Sequence, residues 1–244
     1  MISCVKTDVG RVRFNNEDAF YFPSKESKLP ALFIVADGMG GHVGGEVASN
    51  IAVKEISSYV NSCMEKPSNS KRIKQILKDS FIKANSAILD QISKSGHLKG
   101  MGTTATVVLV HNHRLFIAHI GDSRAYRIRG EKIEQLTKDH SLVWELMEQG
   151  RITWEEASNH PMKNVITKVL GTSEEPEPDI HEFDLKNGDT IILCSDGLTN
   201  MIDDDFIRQI ASKASPEEAV ERLIREANSN GGLDNITVGI IKTD

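Results

Sequence analysis

The sequence predicts an α+β fold: an α-β-β-α sandwich of two antiparallel sheets packed face to face and flanked by helix pairs. Three observations predict it. Strand-like apolar runs are joined by connections far shorter than the dozen or more residues that a parallel crossover needs. Stretches of helical period come in pairs instead of alternating with strands. No internal repeat or linker divides the 244 residues, so residues 1–244 read as one domain with length for a substantial core.

In chain order, Ile2 to Asp8 and Ala19 to Phe22 read as strands across a polar turn containing Gly10 and Asn15-Asn16. Lys25 to Pro30 reads as a loop and Ala31 to Ala36 as a strand ending in Asp37. From Glu46 the period changes: Val47/Ala48, Ile51/Ala52, Ile56 and Tyr59/Val60 mark a helix. Pro67-Ser68-Asn69-Ser70 breaks it, and Ile73, Ile76/Leu77, Phe81, Ala84, Ile88 and Ile92 line one face of a second helix ending near Gly96. Thr104 to Val110 and Leu115 to Ile120 flank the turn His111-Asn112-His113-Arg114, whose histidines read as surface residues. Arg124 to Ile128 and Lys132 to Leu136 flank Arg129-Gly130-Glu131.

Residues 139–171 are poorly patterned, with a helix at Leu142 to Glu148 and an interruption at Pro161, and read either as a functional flap over about 141–171 or as a variable surface excursion. Ile180 to Leu185 and Thr190 to Cys194 read as strands across the turn Lys186-Asn187-Gly188-Asp189. Helices at Asp204 to Lys213 and Pro216 to Asn228 precede a last strand, Ile236 to Ile241.

A net charge of −6 without a Lys/Arg cluster leaves no footprint for nucleic acid or an anionic membrane surface. No apolar run approaches the ~18 residues of a membrane span. The first residues, Met1-Ile2-Ser3-Cys4-Val5-Lys6, lack the regions of a signal peptide. Three scattered cysteines favour a reducing compartment over a disulfide framework. The reading is a cytoplasmic monomer.

Acids recur at the ends of strand-like runs. Asp18, Asp37, Asp122, Asp196 and Asp234 each sit at such a boundary, and Asp37 is followed by a glycine-rich loop, Gly38-Met39-Gly40-Gly41-His42-Val43-Gly44-Gly45. One Asp-Gly after an apolar run is an ordinary turn. Repetition is the informative feature, because carboxylates held together repel unless protons or cations neutralise them. With the Gly38 carbonyl, the donors are all oxygen, which suits magnesium or manganese better than zinc. Two such cations ~3.5–4 Å apart lower the pKa of a bound water and clamp an in-line displacement. One acid must bridge them, and Asp37, with the Gly38 carbonyl beside it, is the choice. Arg13 alone is an ordinary surface arginine; beside this set its planar fork suits phosphate oxygens. His42 in the glycine loop is placed to donate a proton to a leaving oxygen.

Other chemistries fail on named residues. A dehalogenase-type nucleophile would stand at Val35, and the arginine of a cysteine phosphatase at Gly10, Asn69 or Asn200. No Gly-Lys-Ser/Thr follows the loop, and Val43 replaces the third glycine of a dinucleotide fingerprint.

Eight stretches then carry a resemblance along nearly the whole chain: Arg13-Phe14-Asn15-Asn16-Glu17-Asp18, Asp37-Gly38-Met39-Gly40-Gly41-His42, Gly102-Thr103-Thr104-Ala105, Gly121-Asp122-Ser123-Arg124, Asp139-His140-Ser141, Asn164-Val165-Ile166-Thr167, Ser195-Asp196-Gly197-Leu198 and Gly232-Leu233-Asp234-Asn235. Together they resemble the metal-dependent protein phosphatases of the 2C type in their compact bacterial form. The resemblance implies the sandwich fold and hydrolysis of phosphoserine and phosphothreonine in proteins, with no phosphoenzyme. It implies a first manganese or magnesium on Asp37, Asp196 and Asp234, and a second on Asp37 and the Gly38 carbonyl, with Asp18 reaching it directly or through water. A weaker third ion would sit on Asp122 and Asp196, with Arg13 on the phosphate and His42 as proton donor. The implied partners are phosphorylated proteins, the substrates of a bacterial Ser/Thr kinase, and that kinase itself. Lys163 and Lys168 stand where many relatives carry arginine. A silent phosphoprotein-binding module and a broader binuclear phosphoesterase are the competing expectations.

Overall fold

A computed structural model describes residues 1–24, 31–40, 44–64, 69–172 and 175–243. The loop expected at Lys25 to Pro30, the break at Pro67-Ser68, and His42 lie outside the described residues. Eleven strands are present among those described: β1 Ile2–Asp8, β2 Asp18–Tyr21, β3 Ala31–Met39, β4 Gly102–Thr103, β5 Ala105–His111, β6 Arg114–Ile120, β7 Arg124–Arg129, β8 Lys132–Gln135, β9 Asp179–Asp184, β10 Thr190–Cys194 and β11 Ile236–Lys242. The helices are α1 Gly44–Cys63, α2 Ser70–Lys94, α3 Leu142–Glu148, α4 Trp154–Ser158, α5 Asp196–Thr199, α6 Asp204–Lys213 and α7 Pro216–Ser229.

The strands form two antiparallel sheets, β1-β11-β10-β7-β8 and β2-β3-β5-β6-β9, with β4 pairing the end of β3. Phe33, Val35, Val108, Ile117, Ile191 and Leu193 fill the space between the sheets. The stripe Ala48, Ala52, Ile56 and Val60 of α1 and the face of α2 from Ile73 to Ile88 cover the second sheet. Ile207 and Ile210 of α6, with Val220 and Leu223 of α7, cover the first. Four layers and three apolar seams make the expected α-β-β-α sandwich. Local chemistry sets the helix starts: Asn69 caps α2, and Ser215 with Glu218 closes a capping box on α7, with Pro216 at its first position. Asn112 and His113 both take positive φ, the backbone of a tight two-residue hairpin between β5 and β6.

Two sequence expectations are corrected. Asp37 does not stand at the tip of its strand. Gly38 and Met39 pair with Thr103 and Gly102, so β3 continues past the acid. Nor do the strands either side of Lys186-Asn187-Gly188-Asp189 pair with each other. The connection crosses between sheets: β9 pairs β6 in one, while β10 lies between β7 and β11 in the other. Burial explains this, since all five residues of β10 are buried and need a neighbour on each side, whereas half-exposed β9 suits an edge. Asp189 pins the crossover by accepting from the Lys186 amide at 2.8 Å and from the Arg129 guanidinium.

The excursion over 141–171 is tied down at its base. Leu142 N donates to Val165 O and Thr167 N to His140 O, and Thr103 exchanges both backbone hydrogen bonds with Leu170. It carries α3 and also α4, a short helix absent from the sequence reading. Among the described residues no helix is long and apolar enough to cross a membrane.

The end of β3 is packed against backbone with no slack. A Cβ on Gly38 would lie 2.1 Å from the Gly45 carbonyl oxygen and 2.6 Å from that of Glu17. Gly38→Ala is therefore expected to destabilise by about 1–3 kcal/mol, read as a lower urea midpoint; an unchanged midpoint would contradict this packing.

Candidate functional site

The acids reach one end of the sandwich from both sheets. Asp18 opens β2 and Asp37 sits opposite it in register on β3. Asp122 lies in the turn between β6 and β7, Asp196 begins α5 just after β10, and Asp234 precedes β11. Asp37 is central: burial raises its pKa well above the usual carboxylate range, and the charges of Asp18, Asp196, Asp122 and Asp234 all push it further. The Asp196 pKa is raised as well, by burial first and then by the Asp234 charge. Distant parts of the chain thus deliver five aspartates to one place.

Neutral donors hold Asp18 and Asp196 and fix the backbone of Asp37. Asp18, the most buried of them, accepts from Ser195 Oγ at 2.8 Å and Thr237 Oγ1 at 2.6 Å, both on the same Oδ2. Burial still raises its pKa to about 7, against these two hydrogen bonds. The Asp37 backbone is fixed on both sides: its N–H donates to Thr104 Oγ1, and its carbonyl accepts from Thr104 N and Thr103 Oγ1, each at 2.9 Å. Asn200 Nδ2 donates to Asp196 Oδ2 at 3.0 Å. Asn235 knits the loop before β2 to the strand after Asp234, donating to Val9 O and Asn15 O while accepting from Glu17 N. Arg124, two positions beyond Asp122, is partly buried and bound in a fork to Asp139.

Arg13 reaches the rim. Its Nη2 donates to Asp234 Oδ2 at 2.7 Å, and the side chain stays 54% exposed, so further N–H groups face outward. Among the described residues no group of three His, Cys, Asp or Glu side chains is arranged to hold a metal ion as it stands. Asp234 accepts from Arg13 on Oδ2, and Asp18 accepts from Ser195 and Thr237 on Oδ2. What the site offers is spare donors. Oδ1 of Asp18, Asp122 and Asp196 is each buried without a partner. Three orphaned carboxylate oxygens, inward-facing and with no nitrogen or sulfur competitor among them, fit hard divalent cations.

A family model described as protein phosphatase 2C matches residues 11–229. The chain belongs to the protein phosphatase 2C family. As a 2C-type phosphatase it is a hydrolase of the metal-dependent class. It is similar to protein phosphatase PhpP of Streptococcus pneumoniae, 40% identical over 238 residues that cover 96% of this chain and 94% of that one. Serine/threonine phosphatase stp of Listeria monocytogenes is 39% identical over 241 residues, covering 98% and 94%. Among solved structures, the serine/threonine phosphatase of S. agalactiae superposes with TM-score 0.91 at 36% identity, covering 100% of this chain and 99% of that chain. The catalytic domain of serine threonine protein phosphatase PstP, solved with 2 manganese ions, gives 0.86 at 36% identity over 98% and 96%.

The sequence pointed to Asp18, Asp37, Asp122, Asp196, Asp234 and Arg13 as candidates, and this 2C-type phosphatase brings all six to one end. It did not single out Ser195, Thr237, Asn235 or Asn200 as positioning groups. Ser195 and Asn235 each adjoin an acid in the sequence, which was the available signal. Thr237 is three residues from Asp234 and two from Asn235, inside a strand where a threonine looks unremarkable.

These acids give the protein an unusual pH response. The folded state binds the Asp18 proton more tightly than the unfolded chain does, about 7 against 3.8, so charging Asp18 as pH rises removes stability. His119, fully buried and pushed down to about 3, acts oppositely between about 3 and 6.5 because only the unfolded chain takes its proton there. The two offset each other in acid, and the aspartates act alone above pH 6.5. In chelator, the melting temperature is expected to fall between pH 6.5 and 8, and manganese to restore it at pH 8. A flat profile that ignores manganese would contradict the acid cluster.

Proposed function

We propose that the chain is a protein serine/threonine phosphatase that hydrolyses phosphoserine and phosphothreonine with water as the nucleophile and no phosphoenzyme. The observation that carries this reading is the convergence of four acids on Asp37. Asp37, Asp196 and Asp234 would hold one divalent cation, and Asp37 with the Gly38 carbonyl a second, assisted by Asp18. Asp122 with Asp196 would take a weaker third. Manganese or magnesium, when bound there, supplies the Lewis acidity that makes water nucleophilic at neutral pH.

The chain's own residues do the remaining work. Arg13 exchanges its contact with Asp234 for the incoming phosphate, orienting it with a planar pair of N–H groups and keeping it at the acid rim. His42 protonates the departing side-chain oxygen. Asp37 is held rigidly by Thr103 and Thr104, so positioning precedes substrate binding. Among the described residues, neither Cys194 nor Ser195 is a free nucleophile beside the acids. Cys194 is buried and its thiol is pushed up to about 12, and Ser195 is buried with its hydroxyl donated to Asp18. Residues 141–171 act as a flap beside the cleft within a single catalytic domain. The phosphorylated substrates are those of a cognate Ser/Thr kinase, with the kinase among them, in the cytoplasm, where three free cysteines stay reduced.

Asp37→Asn separates catalysis from folding. It removes a carboxylate whose charge is costly in place, so in chelator at pH 8 the variant should melt higher than the parent. Phosphate release from a phosphothreonine peptide with manganese should fall at least about a thousandfold. Turnover that survives Asp37→Asn, or that ignores chelator in the parent, would refute the reading.

A further inference from the structure

The excursion and the acid cluster enclose a hollow of about 200 Å³. Its inner wall includes Asp122 and Asp196; its outer wall sets Trp144 and Met147 of α3 and Trp154 and Ala157 of α4 beside the polar Lys163 and Asn164. The two indoles meet edge to face, centroids 6.4 Å apart at 89°. Trp154 nevertheless leaves 60% of its surface exposed. A large aromatic left open at the mouth of a cavity is characteristic of recognition surfaces. The hollow is smaller than the roughly 300–1,000 Å³ of sites for free small-molecule ligands, and suits a single side chain.

We propose that this hollow binds an apolar side chain of the phosphoprotein substrate, a leucine-like or phenylalanine-like residue within about three positions of the phosphorylated one. The proposal rests on the phosphatase reading. With Asp122 and Asp196 taking cations under the phosphatase reading and Arg124 paired with Asp139, the two indoles are the large apolar faces of the lining and select an apolar occupant. Because Asp122 and Asp196 belong to both the hollow and the acid cluster, a peptide whose phosphate sits at the cluster passes the mouth directly. An extended peptide advances about 3.3 Å per residue, which keeps the recognised position close to the phosphoresidue. Trp154 and Trp144 are thus specificity-determining residues that touch the substrate away from the reacting atoms.

The chain has two tryptophans, and both line the hollow, so intrinsic fluorescence reports on it directly. One phosphothreonine peptide is made with Leu, Ala, Lys or Asp at each position from three before to three after the phosphoresidue, together with a non-hydrolysable phosphonate version of each. At one position the Leu peptide should exceed the Ala peptide about tenfold in kcat/KM. Its phosphonate should shift tryptophan emission where the Ala phosphonate does not. Trp154→Ala should bring the Leu/Ala ratio close to one, and Trp154→Phe should keep most of it; a merely structural role would lower both peptides together and leave the ratio intact. A ratio that survives Trp154→Ala, a preference for Lys over Leu, or an emission spectrum indifferent to the Leu phosphonate would overturn the proposal while phosphate release continued. Failure of the parent enzyme to release phosphate from any of the peptides would sink the phosphatase reading, and this one with it.

Discussion

The Asp18 carboxylate, clasped by the hydroxyls of Ser195 and Thr237, is the contact on which the site depends. Asp18 belongs to one sheet, Thr237 to the other, and Ser195 follows the other sheet's β10 directly, so a pair of hydrogen bonds of 2.8 and 2.6 Å joins the layers where the acids gather. The same contact directs one oxygen away from the cluster and leaves Oδ1 buried without a partner. Were the sheets to slide here, Asp18 and Asp37 would leave the company of Asp196 and Asp234. The apolar seam between the sheets supplies adhesion, and the polar clasp supplies register.

Like charges brought together are costly, and this end of the molecule collects five carboxylates, with Arg13 the one cation hydrogen-bonded to them among the described residues. Burial and mutual repulsion raise the pKa of Asp18, Asp37, Asp122 and Asp196 together. Such an arrangement stores unfavourable energy that divalent cations relieve, so stability and activity draw on one set of atoms. Positioning is left to neutral groups: threonine and serine hydroxyls, the Asn200 and Asn235 amides, and glycine backbone that lets β3, α1 and the Glu17 segment touch. Adding charge to hold charge would alter the potential that the site exists to set.

Much of this was legible in the sequence because it is local. Strand and helix periods, turn chemistry and the placing of acids at element ends are written in short windows, and α3, α6 and β10 fall where their patterns put them. The order of eight motifs made the family recognisable before any contact was known. What escaped was set by partners far along the chain. That β3 runs on past Asp37 depends on Gly102-Thr103, more than sixty residues away. That β9 and β10 part company depends on which sheet offers each strand enough cover. Four-residue α5 and five-residue α4 are too short to show a period. The hydroxyls on Asp18 could not be assigned because a threonine in a strand looks the same whether it clasps an acid or merely fills a pleat.

The central claim is that these aspartates form one divalent-cation site built around Asp37. Crystals grown with manganese, measured at its absorption edge, test it most directly. The account predicts anomalous peaks in contact with Asp37, with Asp196 and Asp234 turned toward the same ion. Manganese absent from Asp37, or the three carboxylates pointing apart around ordinary water, would contradict it.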